Sequence, residues 1–404
     1  MLNINATKIR CVNDLTLYDK LKKHSDVKRV NRLIEKHEAE GPTGVRRNLL
    51  STSVRLTQGM SSEITKMADE CIERLDVKLP LELYVYSSPQ FNAACFKPED
   101  DRLYVMFSSS LLEGFNLQEL KFVMGHELGH HVYDHHAIPI GHLLNGQQRP
   151  NPQLVLELFA WSRYAELSAD RAGAHCAQDM DAVARALFKL SSGLTSKVVQ
   201  FSLDDFVAQV DDMKVGDDEP GRGSSQADWF STHPFSPLRV KALKLFERSE
   251  LYSDNKNSNT KADLEVSVQA ILSLMEPSYL EAKTDIAEAM RRLLFAGLIV
   301  VADASMGISK QELEIFAKYF GKYAFSDKLD IEKIKDTMKI RLQEVKDKAS
   351  EPQRMQVLHD LCTMAQADGG VTKKERLKLE EIADGLSIPH SFICQSLNGN
   401  KDLD

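Results

Sequence analysis

The chain predicts a mostly helical α+β fold, and three observations lead to it. Long stretches repeat apolar residues at helical spacing, and two short runs are rich in β-formers. A polar stretch without apolar period, Ser253 to Thr260, then separates the α+β part from a region that reads as all-α. A chain of 404 residues that is 43% hydrophobic has ample core material for two or three domains. The expected organisation is a helical or extended lead-in over 1–60, packed on a domain over 61–250. A linker over 251–262 and a helical domain over 263–404 follow.

Leu15 to Ala39 reads as one charged helix, closed by Gly41 and Pro42. A helix over about 62–76 leads into Leu81-Glu82-Leu83-Tyr84-Val85-Tyr86, a strand by its β-formers. Residues 102–107, Arg-Leu-Tyr-Val-Met-Phe, form another strand, and an exposed strand at this place can take up an extended peptide by adding it to the sheet. Asn116 with Glu119 three residues on is a capping-box signature, and Leu117, Leu120, Val123, Met124 and Leu128 recur at helical spacing, which predicts a helix over about 117–134. A further helix covers about 152–177. Residues 213–226, rich in Gly, Asp and Ser, read as a surface loop, placed just before His233 where it would also serve as a gate.

The C-terminal region contains a weak repeat. Ala302-Asp303, then Gly307-Ile308-Ser309-Lys310-Gln311-Glu312, echoes Ala367-Asp368-Gly369-Gly370-Val371-Thr372-Lys373-Lys374-Glu375. Each copy ends an apolar helix, turns at a glycine and restarts with a capping box, Ser309 to Glu312 and Thr372 to Glu375. The first copy lacks a glycine after Asp303.

The helix over 117–134 carries the chemistry. His126 and His130 stand four apart with Glu127 after the first, so both imidazoles leave one face and can grip one metal ion. Neutral imidazole suits Zn²⁺, and a neighbouring carboxylate can take a proton from a water that the ion has made acidic. Gly125 and Gly129 flank the histidines at a helical cost of about 1 kcal/mol each relative to alanine, which a close approach of backbone or substrate would justify.

Two residues compete as third ligand. His136 lies six residues after His130, a spacing that works where a glycine three residues after the second histidine breaks the helix; here that position is Tyr133. If the helix runs on, His136 lies about 9 Å further along the axis, out of reach of a bond of about 2 Å. The other candidate, Glu166, shares a helix face with Asp170, and a carboxylate such as Asp170 can orient a ligand imidazole. The missing glycine favours Glu166.

Asn92-Ala93-Ala94, then His126-Glu127-Leu128-Gly129-His130, then Ser162-Arg163 with Glu166, Ala169 and Asp170, and finally Thr232-His233-Pro234 with Arg239-Val240 follow one another over roughly residues 60–248. In these motifs the chain resembles the HtpX-type zinc metallopeptidases, a family that also holds prenyl-protein proteases and mitochondrial inner-membrane stress proteases. The resemblance implies a zincin-type catalytic domain of the gluzincin kind, a metalloendopeptidase acting on protein or peptide substrates. It implies one Zn²⁺ per chain, held by His126, His130 and Glu166, with Glu127 as general base. It further implies that His233 stabilises the oxyanion, that Arg239 pairs with Asp170, and that Asn92 and Ala93 border the substrate cleft. The C-terminal repeat resembles the TerB-like helical domain, a family in which such acidic turns have been proposed as metal sites; helix caps explain the glutamates here without a metal. Regulation, or recruitment of a protein partner, is the role expected of residues 263–404.

Membrane relatives carry spanning helices around the catalytic segment. Here the longest apolar run, Leu293 to Ala302, is about half of the roughly 20 residues a span needs, and Met1 to Lys23 does not read as a signal peptide. The expectation is a soluble, cytoplasmic enzyme with no integral membrane segment. A net charge of −8 argues against nucleic-acid binding. The six cysteines, Cys11, Cys71, Cys95, Cys176, Cys362 and Cys394, show no CxxC pairing and read as reduced core residues. His131 points about 140° away from His126, His135 and His136 read as helix-end side chains, and His175 reads as a surface residue. A second class of function is a catalytically latent zinc-binding scaffold or stress-response adaptor. A purely structural zinc has no need of Glu127, which favours the enzyme.

Overall fold

The computed structural model describes residues 6–39, 41, 44–145, 152–195, 199–217, 231–252, 258–272, 275, 285–304, 331–366 and 370–398. The chain divides into two compact units, residues 1–211 with 230–265 and residues 212–229 with 266–404. The first unit therefore runs through Glu265, into the stretch that the sequence assigns to the C-terminal domain.

The first unit opens with three helices, α1 (Ala6–Ile9), α2 (Val12–Lys23) and α3 (Ser25–Ala39). The single helix expected over Leu15 to Ala39 is broken at His24, whose backbone is extended (φ −65°, ψ 140°). Its ring nitrogen accepts the Asp26 N–H at 3.2 Å, a local bond that competes with helix continuation. Helix α4 (Val45–Thr52) and strand β1 (Val54–Leu56) lead through α5 (Ser62–Leu75) to β2 (Leu81–Tyr86), β3 (Ala93–Cys95) and β4 (Leu103–Ser108).

The four strands pair in the order β1-β2-β4-β3. Strands β2 and β4 run parallel, with Leu81 opposite Leu103, while β1 and β3 pair antiparallel on the two outsides. The strand read over 102–107 is thus interior and already paired on both sides. The edge beside the motif helix is β3, so the expectation of strand addition moves from 102–107 to residues 93–95.

Helix α6 (Ser109–Gly114) precedes α7 (Leu117–Val132), the motif helix. The Asn116 side chain accepts from Gln118 and Glu119 N–H, and Glu119 accepts from Asn116 N–H at 2.9 Å, the expected capping box. Glu119 is buried and also meets Lys189 at 2.7 Å. After α8 (Ile140–Asn145), the long helix α9 (Pro152–Ala177) packs along α7. The glycines of α7 make this approach possible. A Cβ on Gly125 would lie 2.7 Å from Cys176 Cβ and 2.9 Å from Gly173 Cα, and one on Gly129 would lie 2.9 Å from Ala172 Cβ.

Helices α10 (Met180–Ser192), α11 (Leu203–Asp217), α12 (Ser236–Glu247) and α13 (Lys261–Leu272) follow. Residues 213–217 belong to α11, contrary to the loop expected from 213, and 218–226 lie outside the described residues. Residues 253–257 of the expected linker also lie outside them. His175 is buried on α9, contrary to its surface reading, where the backbone of α9 accepts the Arg74 guanidinium.

In the second unit α14 (Asp285–Asp303), α15 (Ile331–Lys348), α16 (Glu351–Ala365), α17 (Lys373–Leu386) and α18 (His390–Asn398) enclose one apolar core that includes Leu293, Ile299, Leu358, Leu361 and Ile382. Thr372 and Glu375 form the capping box expected at α17, so the buried Glu375 carboxylate is engaged by its own helix start. The matching turn, Gly307 to Glu312, and Asp368 lie outside the described residues. No described helix is long and apolar enough to cross a membrane. All six cysteines are free thiols, five of them buried.

Candidate metal centre

His126 and His130 leave the same face of α7 toward α9, from which Glu166 approaches. The two Nε2 atoms lie 3.2 Å apart, and Glu166 places Oε2 at 3.5 Å from His126 Nε2 and Oε1 at 3.4 Å from His130 Nε2. Two imidazole nitrogens directed at each other, with a buried carboxylate oxygen that has no hydrogen-bond donor, leave three acceptor atoms converging on one point. A cation satisfies all three, and two imidazoles with a carboxylate are a donor set zinc accepts. Burial works against ionised Glu166, but the proximity of His126 and His130 holds its carboxyl well below the usual carboxylate range. His136, the other candidate, is not part of the cluster.

Each ligand histidine is held from behind. Asp170 Oδ1 meets His126 Nδ1 at 3.0 Å, and Arg239 on α12 clamps Asp170 with two bonds of 2.8 and 2.6 Å. Burial opposes ionisation of Asp170, and the Arg239 guanidinium overcomes it and lowers the carboxyl pKa. His130 Nδ1 meets His135 Nδ1 at 2.8 Å, and His135 Nε2 meets Asp14 Oδ2 at 3.0 Å. Asp14, on α2, receives Arg10 at 2.8 and 3.0 Å and the Trp161 indole N–H at 3.0 Å.

Glu127 points its carboxylate to the edge strand, where Oε2 accepts the Cys95 backbone N–H at 2.9 Å. Burial and the Glu127 charge both push the Cys95 thiol pKa up, which disfavours its thiolate. His233 is largely exposed, with Nε2 at 3.5 Å from Glu166 Oε1 and Nδ1 at 2.8 Å from Thr232 Oγ1. Ser162 on α9 donates to the Thr232 carbonyl at 2.9 Å, which ties the His233 segment to the helix that carries Glu166. Asn92 exchanges bonds with Ser108 and donates to the Tyr86 hydroxyl at 3.1 Å, and Ala93 pairs with Phe107. A cavity of about 1920 Å³ opens beside the cluster, bounded by His130, Glu166, Phe96, Ile138 and the Val30 and Ile34 side of α3.

Residues 60–148 and 150–247 match peptidase family M48, and residues 291–395 match the tellurite resistance protein TerB. Over 60–148 and 150–247 the chain is similar to an M48 peptidase domain. It is 29% identical over 234 residues to a protein named plastoglobule-localized metallopeptidase 48 of Arabidopsis thaliana, covering 54% of this chain and 66% of the relative. It is 22% identical over 226 residues to a protease HtpX homolog of Helicobacter pylori, covering 47% and 68%. A short stretch of 58 residues is 40% identical to protease HtpX of Shewanella pealeana, 14% of this chain and 20% of that protein. The match thus spans about two thirds, or less, of each relative. No solved structure matches the chain.

At the end of the motif helix the structure corrects the sequence reading. Helix α7 does not run on: it ends at Tyr133, and Asp134 turns the chain in the left-handed region (φ 57°) into a short 3₁₀ turn, His135–Ala137. No glycine is needed, because aspartate is among the few other residues that visit this region routinely. The turn brings His135, not His136, to His130. His135 is therefore a buried partner of a candidate ligand and not a helix-end side chain. Asp134 followed by two histidines was the available signal, but the partner that completes the arrangement, Asp14, lies outside every motif.

Proposed function

We propose that this protein is a zinc-dependent metalloendopeptidase with a helical domain that regulates it or recruits a partner. The observation that carries the reading is Glu127, held by the Cys95 N–H at 2.9 Å, next in sequence to a His₂Glu donor set whose carboxylate is buried. His126, His130 and Glu166 would hold the ion. Bound zinc supplies Lewis-acid chemistry, polarising a carbonyl and making a water acidic enough to lose its proton near neutral pH. Glu127 takes that proton and returns it to the leaving nitrogen, acting as base and then as acid. The Cys95 N–H fixes one Glu127 oxygen, so the carboxylate does not reorient between the two transfers. His233, exposed and 3.5 Å from Glu166 Oε1, would donate to the oxyanion that forms on the attacked carbonyl. The edge strand over 93–95 offers backbone groups to an extended peptide, a mode that binds varied sequences through the main chain. Asn92 and Ala93 would border that peptide.

Glu127→Gln keeps the three donor residues and removes the base. It should retain one equivalent of zinc by metal analysis and lose at least about 100-fold in casein hydrolysis. Undiminished cleavage by a clean mutant preparation sinks the mechanism. Zinc at one equivalent without cleavage of any substrate by the wild type would instead support a latent scaffold.

A further inference from the structure

The region that matches M48 begins at residue 60. Asp14, which supports His130 through His135, lies before it. For His130 to present Nε2 to a metal, its Nδ1 must carry the proton and donate it. His135 Nδ1, 2.8 Å away, must then accept, which leaves the proton of a neutral His135 on Nε2, pointing at Asp14 Oδ2 at 3.0 Å. One assignment of protons satisfies the whole row. Asp14 is fully buried and fixed by Arg10 and Trp161, so it has a single orientation to offer.

The turn that carries His135 is held by the same segment at four further points. Tyr133 Oη donates to the Ala6 carbonyl at 2.9 Å, Tyr18 Oη donates to Asp134, Lys22 reaches Asp134 at 3.2 Å, and Asn31 donates to the Ala137 carbonyl at 2.8 Å. Residues 6–31 thus bind the 133–137 turn from one end to the other. The pattern mirrors the support of His126, where a carboxylate clamped by an arginine orients the ring, with one imidazole inserted between carboxylate and ligand.

We infer that Asp14 and His135 are positioning residues for the metal, so that the N-terminal segment completes the metal site of the M48-like domain. This inference rests on the proposed function. Loss of such an outer partner costs about 10- to 100-fold in metal affinity.

The test uses the full chain carrying Glu127→Gln, to prevent self-cleavage, with zinc affinity read by competition against a chromophoric chelator. His135→Leu and Asp14→Ala should each weaken zinc binding by about 10- to 100-fold. His135→Gln, whose amide oxygen can accept the His130 proton, should recover most of the loss relative to leucine. Thermal unfolding of each variant in EDTA separates positioning from folding. Unchanged zinc affinity in His135→Leu overturns the inference. So does an equal loss in His135→Gln and His135→Leu, or a loss that tracks the unfolding temperature of the metal-free variants. If the parent binds zinc and the protein with Glu127 restored cleaves casein, those results leave the proposed function standing; a parent that takes up no zinc overturns the function itself.

Discussion

Gly125 occupies a helix interior, where alanine is ordinarily better by about 1 kcal/mol. Its surroundings reverse that sign. A methyl group there would meet Cys176 Cβ at 2.7 Å and the Gly173 backbone at 2.9 Å, and backbone cannot step aside as a long side chain does. Gly125→Ala should therefore lower stability by about 1–3 kcal/mol in urea unfolding, the range for overpacking a filled interior. A stabilised variant would mean that α7 and α9 pack less closely than described. At this scale much of the centre was legible. Spacings of four put His126 with His130, and Glu166 with Asp170, on single helix faces whatever the tertiary structure. The two flanking glycines announced a close approach without saying of what. His135 was not legible, because its meaning depends on a left-handed residue at Asp134 and on a carboxylate 121 residues away in the chain.

Glu82 shows what an element needs from its neighbours. It stands on β2 with its side chain mostly covered, meets Arg46 of α4 at 3.1 Å, and accepts from the Tyr84 hydroxyl at 2.7 Å. Arg55 of β1 and Arg102 beside β4 lie within 3.9 and 3.7 Å. Burial works against the charge, but the bonds from Arg46 and Tyr84 prevail and lower the carboxyl pKa. A carboxylate with a lowered pKa contributes stability above its unfolded value, about 4.3, and loses it as pH falls through the folded value. Glu82→Gln should thus cost about 1 kcal/mol at pH 7, a modest figure because the arginines are partly exposed. The difference from wild type should shrink as the pH drops below about 4, measured by urea unfolding across that range. A difference independent of pH would assign the effect to packing. The strands themselves were legible from their β-formers, and the capping boxes at Asn116 and Thr372 from residue type alone. Strand order was not: β4 pairs parallel with β2 across an intervening β3, and nothing local in residues 102–107 tells an interior strand from an edge.

The whole molecule places a boundary where composition does not. A polar stretch near 253–260 suggests ending the peptidase near Glu250, yet Glu265 belongs to the first unit. There the buried Arg171 of α9 donates to Glu265 at 2.6 Å, and the Cys11 thiol donates to the same carboxylate at 3.1 Å. Removing Glu265 leaves a guanidinium buried without a counter-charge, a loss of about 3–5 kcal/mol. A chain ended after Leu272 should unfold cooperatively at a clearly higher urea concentration than one ended at Glu250, and equal midpoints would remove Arg171 and Glu265 from the account of stability. Any comparison of activity with and without the helical domain needs the longer version. The same dependence on distant residues bears on how the metal site is made. The contact of Asp14 with His135 closes a loop of 121 residues, and contacts of such sequence separation are slow to form. During synthesis the first helices emerge long before the turn they grip. Helix α7 can coil as soon as its own residues exist, whereas His130 gains its outer support only when chain made early and chain made late have met. With Asp14 and His135 in the supporting role proposed above, a half-made domain should hold a metal ion more loosely than the finished one.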